Sequence, residues 1–358
     1  MHHTITGPLK GRGVLSNPPG RFDRQLLEAV DDGWYRDEAL DSVETTLEPD
    51  RARELISTND SPDVPFERSI NPYRGCTHAC TYCYARPSHA YMGLSPGIDF
   101  ETRLFYKADA ARVLESQLAK PGYVCKSITL GANTDPYQPV EKRMRVTRSV
   151  LEVLARTRHP VAIITKSALV LRDLDLLSDM ARAGLASVAV SVTTLDDDLK
   201  RSMEPRAASP QARLRTLAAL HDAGIPTAVM VAPVIPALTD HELESILEAA
   251  AHAGTRWAGY VLLRLPYEIK DLFREWLEAH YPTRSAHVMS LIRDMRGGAD
   301  NDPRFGFRMR GTGPYAALLS KRFHLACKRL GLNAAAGAPL ETSLFTPPTA
   351  GPQLPLGL

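Results

Sequence analysis

Five short runs of the chain are apolar at nearly every position instead of at alternate ones. They are SITL (Ser127–Leu130), VAIIT (Val161–Thr165), SVAVSV (Ser187–Val192), TAVMVA (Thr227–Ala232) and GYVLL (Gly259–Leu263). β-Branched residues dominate them, and a strand apolar on both sides has to be covered on both faces, as in a parallel sheet. Between the runs the apolar positions fall at helical spacing, in ADAARVLESQLAK, RSVLEVLAR, LRDLDLLSDMARAG, PQARLRTLAALHDAG and DHELESILEAAAHAG. Three of these stretches end in Ala-Gly, a helix stop just ahead of the next strand. A further strand around Ser69–Tyr73 completes six βα units.

Right-handed crossovers wind six such units into an α/β fold, a partial (βα)6 parallel barrel. A flat doubly wound sheet is the rival, but no G-x-G-x-x-G follows any strand, so its usual motive is missing. In either form chemistry gathers at the C-terminal ends of the strands. That is where a cysteine cluster, GANTD, TKS, SVTTLD and APVIP fall.

The flanks have a different texture. Asp23 to Glu54 holds eleven acidic and four basic residues with few large apolar ones, and reads as a loosely packed extension. The tail after Leu332 is rich in Ala, Pro and Gly and reads as an extended strap or a disordered end. The expected division is an acidic, partly disordered N-terminal extension (1–60), a core (61–300), and a C-terminal helix with an extended tail (301–358).

Composition narrows the class without naming a partner. With 358 residues, 44% apolar and 23% charged, the chain can bury a full core, and its formal charge of +2 neither demands nor excludes nucleic acid. No apolar run approaches the ~20 residues of a membrane span. The start, MHHTITGPLKGRG, lacks the apolar core of a secretory signal, and His2 and His3 decide nothing. Three of the five cysteines sit within eight residues, which is no disulfide framework, so a reducing cytoplasmic setting is expected.

Those three are Cys76, Cys80 and Cys83 in RGCTHACTYCYAR, spaced C-x3-C-x2-C with no fourth cysteine near. Structural zinc would need His78 or His89 as the fourth ligand, but His78 lies cramped between two cysteines, and zinc ligands tend to come as two separated pairs. A [4Fe-4S] cluster on three thiolates, with one iron open for a substrate or cofactor, fits the spacing better.

With Tyr82 just before the last cysteine, the loop resembles the signature of the radical S-adenosylmethionine (SAM) superfamily, whose fold is a partial barrel of this kind. The resemblance implies that SAM chelates the open iron through its amino and carboxylate groups. One electron from the reduced cluster then cleaves a carbon–sulfur bond, and the 5′-deoxyadenosyl radical abstracts hydrogen from a substrate. It also implies an electron donor such as flavodoxin or ferredoxin.

Supporting groups follow the strands. Gly131, Ala132, Asn133, Thr134 and Asp135 occupy the place of the superfamily's Gly-Gly-Glu-like segment for the SAM amino group, although no Glu is present. Gly131 permits close backbone approach, and Asn133, Thr134 or Asp135 can accept from an ammonium. Lys166 is expected at the SAM carboxylate, with Ser167 capping the next helix. Ser191 and Thr193 are expected at carboxylate or ribose hydroxyls, and Arg206 as a fork donor, unless Glu204 pairs with it. The prolines of VMVAPVIPALTD suit either an adenine wall or core lining. Arg264, Tyr267 and Glu268 are the substrate-side candidates.

The longer string NPYRGCTHACTYCYARPSHAYMGLSPGIDFETRLFYK, with GANTDPYQPVE and TKSALVLRDLDLL, resembles the spore photoproduct lyase-like branch from about Ser69 to Leu265. That likeness maps Lys166 and Ser191 to SAM contacts. The branch's hydrogen-donating cysteine after the second strand is replaced here by Ala132 and Asn133. Cys125 comes too early to take its place, and Cys327 reads as a buried helix residue. Near the C-terminus Arg304, Arg308, Arg310, Lys321, Arg322, Lys328 and Arg329 are interleaved with Phe305, Phe307 and Tyr315, which suits phosphate contact with base stacking. An ordinary basic helix face reads equally from these residues. The residues leave the substrate unidentified: a nucleic-acid base or lesion is one candidate and a peptide or small metabolite the alternative, with a non-enzymatic zinc-binding protein as the rival to an enzyme.

Overall fold

The protein is described by a computed structural model over residues 9–23, 43–335, 337 and 339–348. His2, His3, most of the acidic extension (24–42) and the last ten residues lie outside these. Four short strands come first: β1 (Thr46–Pro49), β2 (Ile56–Thr58), β3 (Arg68–Ile70) and β4 (Tyr73–Arg74). After the cysteine loop come α1 (Asp99–Thr102), β5 (Arg103–Tyr106) and α2 (Ala110–Leu118).

Strands and helices then alternate as the apolar runs require. The order is β6 (Ile128–Leu130), α3 (Glu141–Met144), α4 (Val146–Arg156), β7 (Val161–Thr165), α5 (Leu174–Arg182) and β8 (Ala186–Ser191). It continues through α6 (Asp197–Met203), α7 (Pro210–Asp222), β9 (Thr227–Val234), α8 (Leu243–His252) and β10 (Trp257–Leu262). Three further helices close the described chain: α9 (Ile269–His280), α10 (Pro282–Asp294) and α11 (Gly313–Leu330).

The main sheet has the order β10-β9-β8-β7-β6-β3-β2. Six of its strands run parallel and only the edge strand β2 is antiparallel. The six βα units thus stand side by side in chain order, and among the described residues β2 and β10 remain the two open edges. One face of β7, β8 and β9 is fully buried, with Val161, Ile163, Val188, Val190, Val229 and Val231 in a core shared with Leu177 of α5 and Leu217 of α7. The alternate residues Ala162, Ile164, Ala189 and Met230 are only half-buried. The strands are apolar on both sides, yet only one side is sealed by helices; the other is left for the site.

Two departures have local causes. The strand expected over Ser69–Tyr73 is split at Asn71-Pro72: β3 joins the main sheet, whereas β4 joins a small sheet ordered β1-β5-β4. Pro72 has no N–H for a ladder, and the Asn71 side chain turns away to accept from Asn133 N at 2.9 Å. Thr46–Pro49, within the stretch read as loosely packed, is a parallel strand on β5. Residues 9–23 are also docked: Gly13 N and Val14 N donate to the Glu101 carboxylate at 3.0 and 3.2 Å, and Arg21 pairs with Glu268 at 3.1 Å.

At the other end, α11 buries Leu319, Phe323 and Cys327. The described tail is an extended strap. Glu341 N donates to Gly184 O and Thr346 N to Thr157 O, both at 2.9 Å, and Phe345 packs against Tyr123 and His159. Cys125 lies at this end of the sheet too, away from the other cysteines.

Candidate cluster and cofactor site

The cysteine loop leaves β4 through Gly75, whose φ is +75° and whose missing Cβ would sit 2.9 Å from Phe100 O. Each cysteine opens a tight turn. Ala79 N donates to Cys76 O, Cys83 N to Cys80 O and Arg86 N to Cys83 O, at 3.2–3.3 Å. Arg86 is fully buried inside the loop: its guanidinium donates twice to Cys80 O (3.0 and 2.8 Å), to Pro96 O and Gly97 O, and pairs with buried Glu101 at 2.5 Å. Gln138 clamps the start, accepting from Thr77 N at 2.9 Å and donating to Gly75 O at 3.1 Å. A loop of this length with no regular structure needs such internal donors to satisfy its buried carbonyls.

All three thiols are free. Burial pushes each above its ordinary range. Asp135 and the neighbouring cysteines add to the effect at Cys76, and Cys80 is pushed up to about 12 by burial and by Glu204. A cation that replaces these protons relieves both burial and mutual repulsion, because the thiolate is the metal ligand.

The turns after β6 and β7 are stitched together by one carboxylate. Asp135 accepts from Thr165 Oγ1 (2.8 Å), Lys166 N (2.7 Å) and Tyr137 N (2.9 Å), and His78 Nδ1 lies 3.4 Å away. Burial works to raise its pKa, but His78 and these hydrogen bonds hold it below the usual carboxylate range. Thr134 is equally engaged, donating to Tyr73 O at 2.8 Å. Gly131 has φ +89°, and a Cβ there would overlap Ile164 O and lie 2.9 Å from Pro136 Cδ, so the two turns approach at backbone contact. Ala132 O accepts from the Tyr84 hydroxyl, and Asn133 is exposed. Ser167 accepts from Leu169 N at 3.2 Å, the cap its position predicts.

A second network stands behind Cys80. Tyr82 donates its hydroxyl to Glu204, which also accepts from Thr193 Oγ1 at 2.9 Å and pairs with Arg213. Glu204 and Arg213 are 0% and 1% exposed. Burial alone would raise the Glu204 carboxyl, but Arg213, Lys166 and the hydrogen bonds bring it down to about 2. The partner of Glu204 is thus Arg213, not Arg206. Arg206 is exposed, and its backbone N donates to His78 O at 3.3 Å. Lys166 Nζ lies 3.4 Å from Ala232 O and 5.8 Å from the Tyr82 ring. Ser191 is buried at the end of β8, its carbonyl accepting from Arg213 at 3.1 Å. Ile235 and Leu238 pack with Cys80 and Tyr82, so the proline-rich turn after β9 is core lining beside the loop.

The open side of the sheet is crossed by residues 302–311. Leu262 N donates to Met309 O at 2.9 Å, and buried Arg296 holds Leu263 O, Phe307 O and Arg308 O at 2.7–3.0 Å. From the β10 edge the segment reaches the loop between β2 and β3, where Gly306 N donates to Asp63 at 2.6 Å and Arg308 engages Asp63 and Ser61. Phe305 and Phe307 are 54% and 43% exposed on it, with the Arg308 guanidinium over Phe305 and that of Arg304 over Phe307. Several of the C-terminal basic residues are engaged: Arg304 with Asp302, Arg308 with Asp63 and Arg322 with Glu244. Glu268 and Tyr267 both hold Arg21, which leaves Arg264 at the mouth.

The donor set tests which metal group the loop suits. Among the described residues no group of three or more His, Cys, Asp or Glu side chains is arranged for a single metal ion, and His78, the fourth ligand zinc would need, faces Asp135 instead. A cubane that takes a different cysteine at each of three irons asks for three separated sulfurs on one loop, and this loop supplies them. The radical SAM superfamily model matches residues 70–250, just over half of the chain.

The chain belongs to the radical SAM superfamily.

As a radical SAM enzyme it uses a [4Fe-4S] cluster and SAM. It is 39% identical to an uncharacterized protein of Mycobacterium tuberculosis over 232 residues, 64% of this chain and 68% of that one. It is 23% identical to a protein of Pseudomonas phage M6 named radical SAM Nalpha-GlyT isomerase, over 75% of this chain and 52% of the other. Its fold is similar to spore photoproduct lyase complexed with dinucleoside spore photoproduct, with a TM-score of 0.54, 16% identity and 80% of each chain covered. A variant of that lyase with bound AdoMet and the dinucleoside matches with a TM-score of 0.52, 15% identity and 80% of each chain covered. The partial barrel expected from the apolar runs is therefore the fold of this radical SAM enzyme.

Arg86, Glu101, Gln138 and Arg213 escaped the sequence reading, and Glu204 was considered only beside Arg206. Their signal is faint: an Arg three residues after the last cysteine, a Gln after Asp-Pro-Tyr, and an Arg inside a helix that otherwise reads as amphipathic.

Proposed function

We propose that Cys76, Cys80 and Cys83 hold three irons of the cluster, that SAM lies between this loop and the ends of β6–β8, and that the substrate is a nucleic-acid base or lesion. When bound, cluster and SAM supply a one-electron cleavage that yields the 5′-deoxyadenosyl radical. The observation that carries the reading is the gathering of three thiols free of disulfides on one loop, with the Lys166 ammonium in electrostatic reach of Cys80 and Cys83, at the C-terminal end of the parallel sheet.

This chain's own groups then divide the work. Lys166 holds the cofactor carboxylate by a charge-assisted hydrogen bond, and the Ser191 hydroxyl and the Asn133 amide face the cofactor as further polar contacts. Gly131 and Ala132 give close backbone approach. Thr134, Asp135 and Thr193 already have internal partners, so they brace the turns that carry Asn133 and Lys166. Arg206, exposed behind His78, braces the loop through its backbone. A one-electron donor of flavodoxin or ferredoxin type supplies the electron, and the setting is cytoplasmic; among the described residues no helix is long and apolar enough to cross a membrane.

The nucleic-acid substrate is supported by the segment across the open side, where exposed Phe305 and Phe307 offer stacking faces between Arg304 and Arg308, which Asp302 and Asp63 hold in place. Since Ala132 and Asn133 stand where the lyase branch has its donor cysteine, the lyase reaction itself is not carried over. The test is anaerobic turnover of the reconstituted protein with dithionite and SAM, offered single-stranded DNA, RNA, peptide pools or small metabolites. Stimulation of 5′-deoxyadenosine release by nucleic acid is the expected result. Stimulation by peptides or metabolites alone would overturn this substrate class.

A further inference from the structure

Arg264 stands two residues beyond β10, its guanidinium 5.7 Å from the ring of Tyr84, the residue that follows Cys83. Its Nη1 meets only the Met309 sulfur, at 3.6 Å, and its Nε is buried without a hydrogen-bond partner among the described residues. Among the described residues no carboxylate pairs with it. The acid in electrostatic reach is Asp63, already engaged by Arg308 and Gly306 N. Arg308 and Arg296 are within reach as well: Arg308 already takes Asp63, and Arg296 has Asp302 in its reach, itself paired with Arg304.

Other deeply placed arginines among the described residues are matched, buried Arg296 by three backbone carbonyls and the rest by carboxylates. Arg86 has Glu101, Arg213 has Glu204, and Arg172 has Glu141 and Asp173. A buried guanidinium N–H is costly to leave unmade, and its fork geometry fits a phosphate or carboxylate.

We propose that Arg264 anchors a substrate anion, a backbone phosphodiester of single-stranded nucleic acid, at the barrel mouth beside Tyr84. The anchor rests on the substrate class proposed above. A phosphodiester is favoured over a carboxylate because the segment that supplies Met309 and Arg308 also presents Phe305 and Phe307, so an anion site and stacking faces lie on one strap. Bases stacked on the phenylalanines bring their backbone to a cationic groove.

The experiment uses the anaerobically reconstituted protein and a fluorescein-labelled single-stranded oligothymidylate, followed by anisotropy across a salt series. Arg264→Gln is expected to weaken binding about tenfold, or about 1.4 kcal/mol. It should also lower the dependence of log K on log salt by about 0.7, the share of one phosphate contact on a single strand. Arg264→Lys should restore that slope. In the unsubstituted protein, phenylglyoxal modification mapped by mass spectrometry should show Arg264 protected by the oligonucleotide, a readout independent of how the variants fold.

If the unsubstituted protein binds the oligonucleotide and Arg264→Gln binds it with the same affinity and slope, the anchor is wrong while the substrate class stands. If the oligonucleotide does not bind at all, the substrate class falls and the phosphodiester anchor with it. Protection of Arg264 by SAM alone, or by a glutamate-rich peptide in place of the oligonucleotide, also overturns the anchor.

Discussion

Replacing Glu204 by alanine should loosen the cysteine loop from behind, and the structure sets the size of the effect. The carboxylate is fully buried, pairs with Arg213, and accepts from the Tyr82 and Thr193 hydroxyls. Breaking a buried pair by removing one partner costs about 3–5 kcal/mol. Arg213 keeps Ala208 O at 2.9 Å and Ser191 O at 3.1 Å, which favours the lower end of that range. Thr193 retains Ala232 O at 3.2 Å, but Tyr82 keeps only a 3.4 Å contact with Thr193, and an orphaned buried hydroxyl adds roughly 1 kcal/mol. The total is about 4 kcal/mol, and at ~2–4 °C per kcal/mol for a chain this large the melting temperature should fall by roughly 8–16 °C. Circular dichroism melting of the cluster-free protein reads it directly. The pH dependence has a defined sign. The folded carboxyl lies at about 2 against an ordinary 4.5, so its contribution is full above about 4.5 and is lost as pH falls toward 2. The gap between the unsubstituted and alanine proteins should hold from pH 7 to about 4.5 and narrow below. A drop of under about 2 °C at pH 7, or a gap that widens on acidification, would refute the idea that this pair holds the loop.

Alanine at Cys76, Cys80 or Cys83 should each remove most of the iron, sulfide and visible absorbance after reconstitution, whereas alanine at Cys125 or Cys327 should leave all three unchanged. Retention of a full cluster by any of the first three variants would displace that residue from the ligand set. Lys166→Met should weaken SAM binding at least about tenfold by anaerobic calorimetry, the loss expected for a charge-assisted hydrogen bond; an unchanged Kd would place the carboxylate elsewhere. Asp63→Asn should release the segment across the open side, so that amides 304–310 exchange with deuterium faster while those of β7 and β8 do not. Unaltered exchange there would mean that Arg296 and the Leu262–Met309 hydrogen bond suffice to hold it.

The sheet was legible because its strands are apolar on both sides, one packed under helices and the other turned toward the site, a signal independent of any long-range contact. The split at Asn71-Pro72 was written in the proline, but its consequence, two strands serving two sheets, depends on which neighbours pair. Of the candidate site, the placement of the cysteines and Lys166 at strand ends was readable from residue type and order along the chain. The fate of Asp135 was not: nothing local says that Thr165, Lys166 N and His78 will converge on it, so a residue expected to face the cofactor ties two turns together. Glu204 drew attention beside Arg206, yet its partner is nine residues along at Arg213, because α7 returns that side chain to the loop. Partners of buried charges are chosen by tertiary packing, and a chain read one residue at a time favours the neighbour in sequence.

The central claim is a cluster with one iron left free for SAM, and anaerobic reconstitution tests it most directly. After dithionite and SAM are added, the protein should carry about four irons and four sulfides and should release 5′-deoxyadenosine. A protein that takes up zinc alone, or an intact cluster that releases no 5′-deoxyadenosine, would contradict the account.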